Sequence, residues 1–309
     1  TTAQVKALNA SRVTFISNIA SMSSSQIAAM TTSQLSKFAD LSTLVPSAGG
    51  IAALTTAQIA SLTSTQIGNL DTNYVAAMTT SQFRALKTIQ LNKFNAGQIA
   101  AIENEDLASL TAVQIQGLTA TQVGSLTTDA TGQIGALSSS QIAALTTSQI
   151  QGLSNAQVIA LTSDQVRGLT ATQIAKMSTA QVANFEAADF AALNATQIKA
   201  LNTSQIQGLT AGQVAAMTST QAAALSSAQI TKLAISNLQT DGLAAISPTL
   251  IKALSTSQVA SIATDRIQAL KPTQISALTT SQIQALTAGT GGQIAALTSS
   301  QIAVLTPAQ

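Results

Sequence analysis

Apolar residues recur along the chain with a period of eight. Ile142, Ile150, Val158, Val166, Ile174 and Val182 fall eight apart, and three residues after each comes Leu145, Leu153, Leu161, Leu169, Met177 or Phe185. Gln precedes each of the branched residues, and Thr or Ser follows most of the others. The unit reads Leu-Thr-Thr/Ala-Ser/Ala-Gln-Ile-x-small. Self-similarity carries it through about 38 copies from Val5 to Ile302. One long helix cannot use this period, because at about 100° per residue the apolar stripe spirals off any face. A heptad coiled coil has a different repeat. A strand would place Ile142 and Leu145 on opposite faces, whereas a helix places residues three apart on the same face.

The octad therefore predicts one short helix each. In Leu145-Thr146-Thr147-Ser148-Gln149-Ile150, Thr146 is placed as N-cap, its hydroxyl accepting from the N–H of Gln149. Gln149, at the third helical position (N3), can accept from the Thr146 N–H and complete a capping box. Leu145 and Ile150 are the two ends of a hydrophobic staple. A helix this short does not survive alone in water, so neighbouring octads must stack. The predicted fold is all-α, a solenoid or superhelix of short capped helices. Small residues before each Leu, such as Ala144, Gly152 and Gly208, suit close approach between layers. The freer position after Ile, holding Gln151, Arg167, Lys199 and Lys252, suits solvent. The number of octads per superhelical turn is open, with two and three both compatible.

The expected organisation is a single continuous array over 1–309, with register breaks near 13–19, 41–50, 123–134, 230–235 and 283–294. Val13 to Ile19 is two residues short and Ile230 to Ile235 three short; Val123 to Ile134 and Ile283 to Ile294 are each three long. Asp129-Ala130-Thr131-Gly132 and Ala288-Gly289-Thr290-Gly291-Gly292 occupy the insertions, where Gly permits positive φ and a wider turn. Leu41 to Gly50 keeps the register but loses the motif, and a surface loop is expected there. The chain opens on Thr1-Thr2-Ala3-Gln4-Val5 and closes on Leu305-Thr306-Pro307-Ala308-Gln309, inside the repeat at both ends. It reads as a fragment of a longer array.

Composition narrows the chemistry. The chain has no Cys and no His, 8% charged residues and a formal net charge of +2. Thiol, His-base and His-ligated metal chemistry are therefore excluded. The 46% hydrophobic content argues against disorder. Thr, Ser or Gln interrupts every apolar run, so no membrane insertion is expected. The absence of a basic tract argues against nucleic acid. No phosphate loop or nucleophile elbow is present. The expectation is of no enzyme, no catalytic residue, no cofactor and no metal. The densest acidic stretch, Glu103-Asn104-Glu105-Asp106, reads as a solvated helix start, with a weak cation site as the alternative. Thr240-Asp241-Gly242 reads as a turn. Asn9-Ala10-Ser11, Asn194-Ala195-Thr196 and Asn202-Thr203-Ser204 are glycosylation sequons that a Thr/Ser/Asn-rich repeat generates easily.

The Leu-Thr-x-x-Gln-Ile/Val unit, as in Leu145 to Ile150, resembles short tandem repeats of very large bacterial surface or secreted adhesin-like exoproteins. The resemblance covers nearly the whole chain and implies an extracellular or cell-surface location. Leu305 to Gln309 is also similar to the start of a transcription-activator-like effector repeat. Those DNA-binding repeats are about 34 residues long, and the Lys/Arg content here is too low for phosphate tracking. The expected function is structural: a spacer, filament or sheath component that self-associates end to end through repeat layers. The alternative is an adhesin-type module presenting Thr/Ser/Gln rows to glycan, ice or a partner solenoid.

Overall fold

A computed structural model describes the chain apart from Pro46, Ala130 and Thr131, with the backbone alone at Ala48. The described residues form short helices and no strand. They divide into two compact units, Thr1–Ala160 and Leu161–Gln309. Both units are built the same way.

Each regular octad makes one helix of four to six residues, as in Ser139–Ala144, Thr147–Gln151 and Asn155–Ile159. The capping box forms as the sequence predicts. The Gln149 N–H donates to Thr146 Oγ1 at 3.2 Å, and the Thr146 N–H donates to Gln149 Oε1 at 2.6 Å. The staple residues Leu145 and Ile150 are both buried. Corners use extended residues rather than left-handed ones. Leu145 has φ −58°, ψ 138° and Thr146 has φ −68°, ψ 159°. Helices can therefore follow one another with no glycine at the corner. Among the described residues only Gly289 and Gly291 have positive φ, at 93° and 83°.

Three octads complete one superhelical turn, which decides between the two counts the sequence left open. In the first unit, Thr80–Ala85 packs on Asn104–Ser109, and Ala112–Gln116 on Ser139–Ala144. In the second, Ser163–Gly168 packs on Ala187–Ala192, and Ala195–Ala200 on Ser219–Ala224. Each pair is three octads apart. The interior is lined by the Ile and Leu columns, with Ile59, Ile67, Ile99, Ile115, Ile142 and Ile150 at 0% exposure. The small residue before each Leu lies over the first helical residue (N1) of the turn above. A Cβ on Gly117 would sit 2.7 Å from Thr88 Cγ2, and one on Gly152 would sit 3.3 Å from Ala120 Cβ.

The register breaks are local. Those near 13–19, 41–50 and 230–235 hold the 3-10 helices Ala10–Phe15, Ile19–Ser21, Leu41–Thr43, Ala48–Ala53 and Ile235–Asn237. The expectation of a surface loop at 41–50 is corrected: Leu41, Leu44, Val45 and Ile51 are buried. The segment lost its capping residues but kept its apolar spacing, so it still fills the core. Of the insertions, Ala130 and Thr131 lie outside the described residues. Around them the capping box survives across the longer loop, with the Thr127 N–H donating to Gln133 Oε1 at 3.2 Å and the Gln133 N–H to Thr127 Oγ1 at 3.0 Å. Thr287 and Gln293 repeat this arrangement at 3.0 and 2.9 Å. Gly289 and Gly291 take the positive φ expected of them, but Gly132 does not, at φ −65°. Gly132 is required for a different reason: a Cβ there would stand 2.7 Å from the Thr127 carbonyl oxygen.

Candidate functional site: a buried glutamine ladder

Glutamine is ordinarily a surface residue, yet most of the N3 glutamines are interior. Gln149, Gln157, Gln205 and Gln213 are each 1–2% exposed. The capping box uses only the side-chain oxygen, which leaves an amide NH₂ that must also be satisfied if buried. It is satisfied across the turn. Gln149 Nε2 donates to the carbonyls of Ile115 at 2.9 Å and Leu118 at 2.6 Å. Gln205 Nε2 donates to Ile174 at 2.9 Å and Met177 at 2.8 Å. Those carbonyls belong to the last turn and corner of a helix in the layer above. They are orphan acceptors that every helix end leaves open. One side chain thus caps its own helix at the N-terminus and another helix at the C-terminus. Among the described residues no buried side-chain N or O lacks a partner.

The spacing of these bonds reports each register break. In regular turns Gln reaches back 31 and 28 residues, as Gln114 does to Phe83 and Leu86. Across the two-residue deletion near 13–19, Gln34 reaches back 29 and 26, to Val5 and Leu8. Across the 123–134 insertion, Gln141 reaches 34 and 31, to Leu107 and Leu110. Across the 230–235 deletion, Gln258 reaches 28 and 25, to Ile230 and Leu233. Across the 283–294 insertion, Gln293 reaches 34 and 31, to Val259 and Ile262. Layer pairing is held constant and the loops absorb the difference.

At two irregular corners N3 carries a longer donor. Tyr74 Oη donates to the Val45 carbonyl at 2.6 Å, across from the motif-free 41–50 segment. Arg266 Nη1 donates to Ser236 at 2.6 Å and Leu238 at 3.2 Å, at the 3-10 corner Ile235–Asn237. At two octads the polarity reverses. Asp106 and Asp189 occupy N3, 4% and 7% exposed, with Glu103 and Glu186 at the N-caps and no side-chain cap bond. An ionised carboxylate only accepts. A hydroxyl at N1 of the helix three octads earlier donates to it: Thr80 to Asp106 and Ser163 to Asp189. Burial pushes the Asp106 carboxyl above the ordinary Asp value, the Thr80 hydrogen bond opposes this, and Glu103 and Glu105 add to the rise.

The other sequence-level candidates are placed as follows. Glu103 and Glu105 are exposed while Asp106 turns inward, so the acidic stretch does not converge. Among the described residues no three Asp or Glu side chains gather as a metal site. Thr240-Asp241-Gly242 is not a turn but the start of the helix Thr240–Ala245, with Gln239 at the N-cap and no side-chain cap bond. Asn194 and Asn202 are exposed N-caps whose Oδ1 atoms accept from Gln197 N at 3.0 Å and Gln205 N at 2.9 Å. Asn9 caps the 3-10 helix Ala10–Phe15. The idea of Gln rows at the surface is corrected in part. The N3 glutamines are inside, and the outward glutamines are those after Ile, such as Gln116, Gln151, Gln207 and Gln284. The inward turn of Gln was visible in one signal: N3 usually holds Gln and never Glu, although a capping box accepts either.

No helix among the described residues is long and apolar enough to cross a membrane. No curated protein matches the chain. The family model of the ALTTAQ repeat matches at residues 99–132, 130–155, 182–219 and 235–272. These four places fall in both units and indicate short tandem repeats there.

Proposed function

We propose that this chain is a structural repeat segment of a cell-surface or secreted protein, serving as spacer, filament or sheath material rather than as a catalyst. The observation that carries the reading is the glutamine ladder. Each regular turn is tied to the one above by buried amide-to-carbonyl bonds in addition to apolar packing. Buried hydrogen bonds of this kind resist shear between layers and are insensitive to salt, since neither partner is charged. The outer surface is polar and nearly uncharged. Layer-on-layer contact between copies is heterologous and does not close on itself, which supports end-to-end growth into filaments.

The test is surface labelling together with mechanical extension. Antibodies against the folded chain should label intact source cells or their secreted material, and pulled single molecules should release length in steps of whole turns. Labelling confined to permeabilised cells would remove the extracellular reading. Binding of the folded chain to glycan arrays, or inhibition of ice recrystallisation, would favour the adhesin-type module, with exposed Thr, Ser and outer Gln rows as the contact.

A further inference from the structure

Two interior joints carry a carboxyl at N3, at Asp106 and Asp189; the first lies between the helices Thr80–Ala85 and Asn104–Ser109 in the first unit. These helices pack directly on each other. At the regular joints flanking this position, Gln98 Nε2 donates to Ile67 and Leu70, and Gln114 Nε2 to Phe83 and Leu86. The same register places the carbonyls of Val75 and Met78 opposite N3 of Asn104–Ser109, where Asp106 stands. An ionised Asp106 brings a second set of acceptors to those acceptors and, among the described residues, has only the Thr80 hydroxyl as side-chain donor. Its N-cap, Glu103, makes no side-chain cap bond either. Both contributions of the regular Gln, the cap and the inter-turn link, are thus missing in the charged state.

Among the described residues, the helices packed on Asn104–Ser109 offer no compensating cation at Asp106. Glu103 and Glu105 flank Asp106 on its own helix. Thr80–Ala85 contributes a single charged residue, Arg84, which is exposed. Gln133–Ala136, which packs on the other side, contributes none. Protonation changes the chemistry of the joint, because a neutral carboxyl gains one O–H donor and loses its repulsion with Glu103, Glu105 and the carbonyls above.

We propose that this joint is a protonation-controlled contact: it opens locally while Asp106 is ionised and closes when Asp106 takes up a proton and donates to the turn above. The chain then carries a local weak point at neutral pH that tightens in acid, inside an array whose regular joints are made by neutral amides.

Hydrogen exchange of the full chain, corrected for intrinsic rates and compared between about pH 7 and about pH 4, tests it directly. Protection in 80–85 and 104–109 should rise several-fold on acidification. Protection in 195–200 and 219–224, joined by Gln221 to Phe190 and Leu193 and by Gln229 to Ile198 and Leu201, serves as reference and should not follow. Asp106→Asn, which is permanently neutral and carries an amide donor, should show high protection at both pH values. Unchanged or falling protection in the natural chain on acidification would overturn the proposal. So would an Asp106→Asn chain that keeps the same pH dependence.

Discussion

Gln149→Glu separates the ladder from the capping box. The substitution is nearly isosteric and keeps the oxygen that accepts from the Thr146 N–H at 2.6 Å. If capping were the whole role of Gln149, the change would be neutral, since Glu serves a capping box as well and favours a helix N-terminus. The structure predicts otherwise. Gln149 is 2% exposed, and its Nε2 donates to Ile115 and Leu118. An ionised Glu there would bring negative charge to two carbonyl oxygens. The chain would escape by protonating the side chain. Starting from an ordinary Glu pKa, that neutralisation costs about 3.7 kcal/mol at neutral pH, at about 1.36 kcal/mol per unit. The neutral acid then restores one of the two donated bonds, and the other is lost at about 0.5–1.5 kcal/mol. The expected destabilisation is about 4–5 kcal/mol near pH 7 and about 1–2 kcal/mol near pH 4. Repeat arrays do not unfold in one step. The readout is therefore the local opening free energy of residues 112–118 and 147–151 from hydrogen exchange, with urea unfolding followed by circular dichroism. A Gln149→Glu chain within about 0.5 kcal/mol of the natural one at neutral pH would show that the inter-turn bonds contribute nothing.

Three further outcomes follow from particular contacts. Gly208→Ala drives a Cβ into Thr179 Cγ2 and should lower stability by about 1–3 kcal/mol, with Thr179→Ala in the same chain recovering most of it in a thermal melt. Arg266→Gln shortens the donor that spans the irregular corner, and should lose about 1–3 kcal/mol of local stability at 235–238, read by hydrogen exchange; full retention would mean that the length of Arg is immaterial. For Asp106, the folded value is raised, so the folded chain holds the proton more tightly than the unfolded one. Its contribution is then fully favourable below the ordinary Asp value and is lost as pH rises through the folded value. Asp106→Asn should remove that slope from the pH dependence of the urea midpoint.

The local fold was legible in the octad because its determinants are local. Thr146 and Gln149 are three residues apart, and Leu145 and Ile150 five, so spacing alone fixes their partners. The number of octads per turn was not legible, because it depends on the corner angles at residues such as Leu145 and Thr146, and extended dihedrals leave no mark in residue type. The same holds for 41–50, where loss of the motif suggested a loop while Leu41, Leu44, Val45 and Ile51 continued to fill the core. The second role of Gln was half visible. Its carbonyl partners are main-chain groups and have no sequence signature, but the absence of Glu from N3 recorded the preference for a donor, which Asp106 and Asp189 alone reverse. Tyr74 and Arg266 stand at N3 in place of Gln; their partners are irregular corners more than twenty residues earlier, which the local motif does not show.

A disulfide trap tests the three-octad turn most directly, and the absence of native cysteine makes it clean. Gly152 follows the helix Thr147–Gln151, and Ala120 opens the helix Ala120–Gly124 one turn above. A Cβ at Gly152 would lie 3.3 Å from Ala120 Cβ, close to the roughly 3.5–4.5 Å that a disulfide requires. The Ala120→Cys/Gly152→Cys chain should oxidise readily under native conditions. The pair Ala112→Cys/Gly152→Cys, shifted by one octad, should stay reduced. Equal oxidation of both pairs, or oxidation of the shifted pair alone, would contradict a solenoid of three octads per turn and the glutamine ladder built on it.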